Sequence, residues 1–237
     1  GEVVFADIDS ISYLIDLEKL DKLLLSSRKK IKGIVSVDFA GNPVNLEKLR
    51  KIADKHGCWI IEDACHAPGG WFVDSKNVKQ LCGNGAFADV SIFSFHPVKH
   101  IATGEGGMIT TNDKMIYEKL LLLRSHGITK NSDLLRENHG QWYYDMLELG
   151  YNYRLTDIQA SLGISQLKRA SIGFKRREAI AKKYDKSFRN YPNIRTPQYS
   201  EGHAFHLYII QVQDRLGLYN YLREKNIYAQ VHYIPVH

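Results

Sequence analysis

The feature that most constrains the fold is a strand–helix–strand run in the first third of the chain. Residues 31–39 (IKGIVSVDF) are rich in β-branched side chains and are followed by Gly41 and Pro43, which marks a strand and its end. Asn45 then caps a helix that puts Leu46, Leu49, Ile52 and Ala53 on one face and stops at Gly57. Residues 58–62 (CWIIE) form a buried-type strand that stops at Asp63. Two strands joined through a helix pair in parallel with a right-handed crossover, and a parallel sheet predicts helices over both of its faces. The expected class is therefore α/β, with a mostly parallel sheet flanked by helices.

The rest of the chain extends this pattern. Residues 2–7 read as a strand, and residues 17–25 as a helix after Asp16. Residues 67–85 are looser and hold four glycines. Residues 88–95 (ADVSIFSF) and 108–111 read as strands, and Asp113 starts a helix carrying Ile116, Leu120 and Leu123. Residues 127–149 are polar and irregular, with Trp142, Tyr143 and Tyr144 clustered; packing is the expected role of these rings, stacking on a base the alternative. A helix over 156–170 aligns Leu155, Ile158, Leu162 and Leu167, and a basic helix follows over 173–189. Beyond Pro192 and Pro197 the pattern changes to a strand at 206–212, a helix at 216–225 and a strand at 227–232. This places a domain boundary near 170–175, giving a large domain over 1–170 and the start of a small α+β domain over 171–237.

Charge and cysteine content narrow the partners. The net charge of +6 arises partly from nine Lys/Arg between Lys168 and Arg189, which reads as the solvated face of a helix rather than a nucleic-acid surface. No apolar run reaches the length of a membrane span, so no membrane partner is expected. Three cysteines without a CxxC pair suit reduced thiols and a cytoplasmic location. No metal centre is expected: His96 and His100 are four apart, but Pro97 argues against a helix presenting both.

In an open α/β sheet, ligands collect beyond the carboxyl ends of the strands. Asp63 ends one strand with His66 three residues on; Ser94 and Lys99 lie at and beyond the end of another; Gly104-Glu105-Gly106-Gly107 turns into the next. This glycine stretch is no P-loop, because it leads into a strand and lacks the GK[ST] ending. On spacing alone, Lys99 fits an ordinary ion pair as well as a catalytic role. A lysine in such a cleft suits Schiff-base chemistry when burial or nearby cations free its amine.

Three segments in a fixed order carry a resemblance. SIFSFHPVK (91–99) with TGEGG (103–107), IEDACHA (61–67) and GYNYRLTDIQA (150–160) resemble the lysine, aspartate and dimer-contact segments of the DegT/DnrJ/EryC1/StrS sugar aminotransferases. Within that family, WYY (142–144), LGYNYR (149–154) and GISQLK (163–168) are most similar to the branch that aminates a nucleotide sugar at C4 in pseudaminic acid biosynthesis.

The resemblance implies a pyridoxal 5′-phosphate (PLP) enzyme of fold type I. Its substrates would be glutamate and a UDP-linked 4-keto-6-deoxy-N-acetylhexosamine. Lys99 would bind the cofactor covalently and act as the acid/base, Asp63 would meet the pyridine nitrogen, His66 would lie by the ring, and Ser94 would donate to the phosphate. Asn152 would reach the cofactor phosphate of a neighbouring subunit, making the enzyme a homodimer with shared sites. Arg154 would meet the substrate pyrophosphate, with a structural ion pair as the alternative, and His232 and Tyr233, in VHYIP (231–235), would line the sugar pocket. Lys99 argues against the family's dehydratase branch, which has histidine there. Other readings are aminotransfer to a different nucleotide keto-sugar, or a non-catalytic fragment.

The chain departs from the family at both ends. Full-length members start well upstream, with a phosphate loop and a ring-stacking aromatic residue, and extend further into the small domain. An exposed apolar sheet edge is the expected consequence. Residues 75–85 read as a short insertion.

Overall fold

In the computed structural model, which describes residues 1–137 and 139–234, the opening run folds as a parallel unit. Strand β1 (Gly33–Val37) pairs with β2 (Trp59–Asp63) across the helix α2 (Leu46–His56), which follows α1 (Leu17–Ser26). Both helices start on the caps expected. Asp16 accepts from the amides of Glu18 and Lys19, and Asn45 from that of Lys48. Gly57 closes α2 in the left-handed region at φ 65°, a conformation glycine adopts without a Cβ penalty.

A short antiparallel hairpin, β3 (Trp71–Val73) and β4 (Lys79–Leu81), occupies the loose stretch. Strand β5 (Val90–Ser94) adds to β2 in parallel, and β6 (Gly107–Thr110) pairs antiparallel with β5. The main sheet is thus mixed and mostly parallel, in the order β1-β2-β5-β6. Helix α3 (Lys114–Arg124) follows, then a two-residue ladder of β7 (Ile128–Thr129) and β8 (Asp145–Met146). The long helix α4 (Asp157–Phe188) and the helix α5 (Arg215–Glu224) complete the described elements.

One face of the sheet is covered and the other is not. Ile34 and Ile60 pack with Leu20 of α1 and Leu46, Leu49 and Ala53 of α2 into the main core. Side chains alternate along a strand, so Val35, Val37 and Trp59 point to the opposite face, where Val35 is 56% exposed. The expectation of helices on both faces fails on that side among the described residues.

Four local expectations are also corrected. Residues 2–7 form no strand. The first pairing is an isolated bridge between Ile8 and Ile15, because a β-prone run needs a neighbouring ladder to become a strand. Residues 206–212 make only the bridge Arg195–Gln211; the amides of Ala204 and Leu207 are already committed to the carbonyls of Gly41 and Ala40. Residues 227–232 pair with nothing named as a strand. The two helices read over 156–170 and 173–189 are one helix of 32 residues. Gly173 costs a helix interior only about 1 kcal/mol, too little to break a helix held at its start by the Thr156/Gln159 capping box. No helix among the described residues is long and apolar enough to cross a membrane.

Candidate functional site

The strand pleat decides which side chains meet. Glu62 faces the core with Ile60, so Asp63, the next residue, turns to the open face. Its carbonyl accepts from the Asp38 amide at 3.0 Å, and its Oδ1 from the Cys65 amide at 3.1 Å. The turn that follows, closed by the Ala67 amide on the Ala64 carbonyl, buries His66 beneath the strand ends.

His66 has a defined tautomer. The Ala40 amide donates to its Nδ1 at 3.3 Å, so Nδ1 is an acceptor and the ring proton sits on Nε2, 3.4 Å from the Tyr233 hydroxyl. Burial, with the charge of Lys99 adding to it, pushes the His66 pKa down to about 4 against the opposing pull of Asp63. The neutral ring lies against His206 with centroids 4.3 Å apart, and His232 is 6.3 Å away.

Lys99 enters this cluster from the other strand. The loop after β5 is pinned by the Phe95 amide on the Gly106 carbonyl, the Thr103 amide on the Phe95 carbonyl and the Lys99 amide on the His96 carbonyl. Gln159, in the first turn of α4, donates to the Glu105 carbonyl and ties the glycine turn to that helix. Lys99 is half-buried, and its charge acts on Cys65, His66, His100, His206 and His232. Asp63 acts on Cys65, His66 and Tyr233. Burial, then Asp63, drives the Cys65 thiol up to about 12, so it stays protonated. Ser94 ends β5, and its Oγ accepts from the His96 amide at 3.3 Å, which leaves the hydroxyl proton free to donate elsewhere.

Asp63, His66, Lys99, His232 and Tyr233 therefore gather around one place, with Ser94 on the strand that leads to Lys99. Pro235, the end of the segment holding His232 and Tyr233, lies outside the described residues. Asn152 and Arg154 are not brought there: both are exposed, and Asn152 forms an isolated bridge with Ser125 beyond α3. Trp142 is 75% exposed, contrary to the packing expected of it.

The family shows itself at this point. The sequence profile of the DegT/DnrJ/EryC1/StrS aminotransferase family matches residues 1–237. The chain belongs to that family. It is 37% identical to the spore coat polysaccharide biosynthesis protein SpsC of Bacillus subtilis, covering 99% of this chain and 60% of that one. It is 38% identical to the UDP-4-amino-4,6-dideoxy-N-acetyl-beta-L-altrosamine transaminase of Campylobacter jejuni, covering 100% and 61%. Among solved structures, Helicobacter pylori PseC, an aminotransferase of pseudaminic acid biosynthesis, superposes with a TM-score of 0.83 at 36% identity, covering 98% of this chain and 60% of that one. Spr1654 from Streptococcus pneumoniae in its PLP form gives 0.82 at 28% identity, covering 98% and 62%. The chain spans about three fifths of the length of these relatives.

Sequence reasoning missed two parts of this site. His206 was read as one position of an alternating strand, yet its ring packs on His66. The turn Phe39–Gly41 holds both: Gly41, at φ 96°, has the His66 carbonyl and the amides of Phe205 and His206 so close that a Cβ would meet them at 2.9–3.1 Å. The glycine after a strand-ending Asp38 was the available signal.

Proposed function

We propose that the protein is a PLP-dependent nucleotide-sugar aminotransferase that moves an amino group from glutamate to a UDP-linked 4-keto-6-deoxy-N-acetylhexosamine. The observation that carries this reading is the meeting of Asp63, His66 and Lys99 at the carboxyl ends of β2 and β5. A carboxylate on the open sheet face, a half-buried amine in the same cluster and a hydroxyl with a free proton at Ser94 suit a ring nitrogen, an aldehyde and a phosphate.

PLP, when bound, supplies an electron sink for the carbon that loses its proton. The chain's residues do the rest. Lys99 Nζ would hold the cofactor covalently and, once released from it, would act as the acid/base that moves the proton. The Asp63 carboxylate would hold the pyridine nitrogen by an ion pair and favour its protonated form. Neutral His66 would lie beside the ring, and the Ser94 hydroxyl would donate to the phosphate. His232 and Tyr233 line the sugar pocket. Asn152 and Arg154, exposed on this chain, serve the neighbouring subunit's phosphate and the substrate's pyrophosphate in a homodimer. Residues 1–170 form part of the PLP-binding large domain and residues 171–237 the start of the small domain.

A second reading, another nucleotide keto-sugar as acceptor, is favoured by the different processes for which SpsC and the altrosamine transaminase are named. Purified protein mixed with PLP should develop the visible band of a lysine-bound cofactor, become trapped by borohydride, and lose both properties in Lys99→Ala. An unchanged band in Lys99→Ala would sink the assignment. Comparing UDP- and dTDP-linked keto sugars with glutamate as donor separates the two substrate readings.

A further inference from the structure

On the core side of the sheet, behind Asp63, two carboxyl groups are shut away from water. Asp38, just past the end of β1, and Glu62, on β2, are each 1% exposed. Each has one oxygen bonded and one left over. Asp38 Oδ1 accepts from the Val44 amide at 2.8 Å, and Glu62 Oε2 from the Gly83 amide at 2.9 Å and the Ser91 hydroxyl at 2.5 Å. Asp38 Oδ2 and Glu62 Oε1 have no partner. The two side chains, with the Cys82 thiol, bring their ligand-type atoms within 4.8 Å of one another.

Two ionised carboxylates this close and this dry repel each other and lack the hydration that would offset it. One proton held by the pair removes a charge and turns one of the orphaned oxygens into a donor. We propose that Asp38 and Glu62 share a single proton, and that this acid–carboxylate pair is the clasp joining the carboxyl ends of β1 and β2.

Its place in the fold gives it a role for the site. Asp38 donates its amide to the Asp63 carbonyl, and its side chain anchors the loop to Val44. That loop contains Ala40, whose amide fixes His66. Asp38 and Glu62 are thus positioning residues for Asp63 and His66, acting from the opposite face of the sheet. The inference does not depend on what Asp63 binds.

The groups facing the pair agree with this. Asp38 is pushed well above the usual carboxylate range by burial first and by Glu62 second. Glu62 is raised by burial first, with Asp63 adding on the same side, while the hydrogen bonds from Ser91 and Gly83 and the neighbouring Asp38 carboxyl oppose it. Cys82 is raised well above an ordinary thiol by burial and by the two carboxyl groups, so it is a neutral neighbour. Ser36, beside Glu62 in the β1–β2 register, contributes another buried oxygen without a partner.

An acid whose folded pKa is raised gives stability that is complete below its unfolded value and is lost as pH rises toward the folded one. For Asp38 that loss begins above 3.8. Asparagine at position 38 keeps an acceptor for Val44 and a permanent donor for Glu62, with no proton to lose.

The test is denaturant unfolding of the full chain and of Asp38→Asn at a series of pH values from 4 upward. Inside the window, wild type should lose about tenfold in its folding equilibrium constant per pH unit relative to Asp38→Asn. Glu62→Gln, a second neutralised variant should Asn fail to fold, should flatten the same limb. Curves for wild type and the neutral variants that stay parallel across pH would overturn the proposal. So would a wild type whose stability drops with a chelator and returns with zinc, since a cation would then occupy the place of the proton.

Discussion

At the scale of single residues, the chain in and around the site holds histidines that must stay neutral. His66 and His100 are pushed down to about 4, His203 to about 3 and His206 to about 2, in each case chiefly by burial. A histidine with a depressed folded pKa gives stability that is complete above its ordinary 6.5 and is lost as pH falls toward the folded value. The protein should therefore lose stability steeply between pH 6.5 and 4, a range above that in which exposed carboxylates titrate. His206→Phe, which keeps a ring against His66 but cannot take up a proton, should flatten that acid limb by about one proton's worth of slope. Unfolding midpoints measured across this range check it, and an unchanged slope in the variant would count against a buried neutral His206. The same scale explains why Asp63 was legible in the sequence and Asp38 was not. Both follow a β-branched strand, but only the alternation Ile60, Glu62 against Ile61, Asp63 shows which carboxyl faces the core.

At the scale of elements, local chemistry and packing contribute unequal amounts. Asn45 caps α2 with one side-chain hydrogen bond, and Asn45→Ala should cost about 1 kcal/mol. Leu49, one turn further on, is 0% exposed among Ile34, Ile60 and Ala53, and Leu49→Ala should cost about 2–5 kcal/mol. Equilibrium denaturation distinguishes the two, and equal losses would mean that α2 is held more by its cap than by its buried face. Helices α1, α2, α3 and α5 were legible because cap and periodicity agree within each. The strands expected at 2–7, 206–212 and 227–232 were not, because a β-prone run records only that it can pair. Whether it does depends on a neighbour supplied by distant chain, and at 204–207 the neighbour is the turn at Ala40 and Gly41.

At the scale of the whole molecule, two apolar surfaces lie open among the described residues. One is the sheet face bearing Val35, Val37 and Trp59; the other is the stripe of α4, where Ile158 is 85% exposed and Leu162 and Leu167 are also open. Exposed apolar area of this extent marks an interaction surface. In the proposed homodimer the α4 stripe is covered by a second copy, near Asn152 and Arg154 at the start of that helix. Leu162→Glu should then shift the sedimentation of the protein from dimer to monomer while leaving its helical circular dichroism intact. A wild type that is monomeric at the same concentration would remove the premise.

What the sequence determined by itself is the β1–α2–β2 unit, the strand β5 that follows it, the capped helices and the three motif segments of an aminotransferase family, because these depend on bonds and periodicities within a few residues of each other. Only the tertiary structure decided which sheet face is covered, that one helix runs through Gly173, that His206 lies on His66, and that Asp38 and Glu62 meet in the dark of the core. Each of these joins residues that are far apart in the chain. Burial and the resulting proton placement follow from that meeting in space, which the linear pattern does not encode.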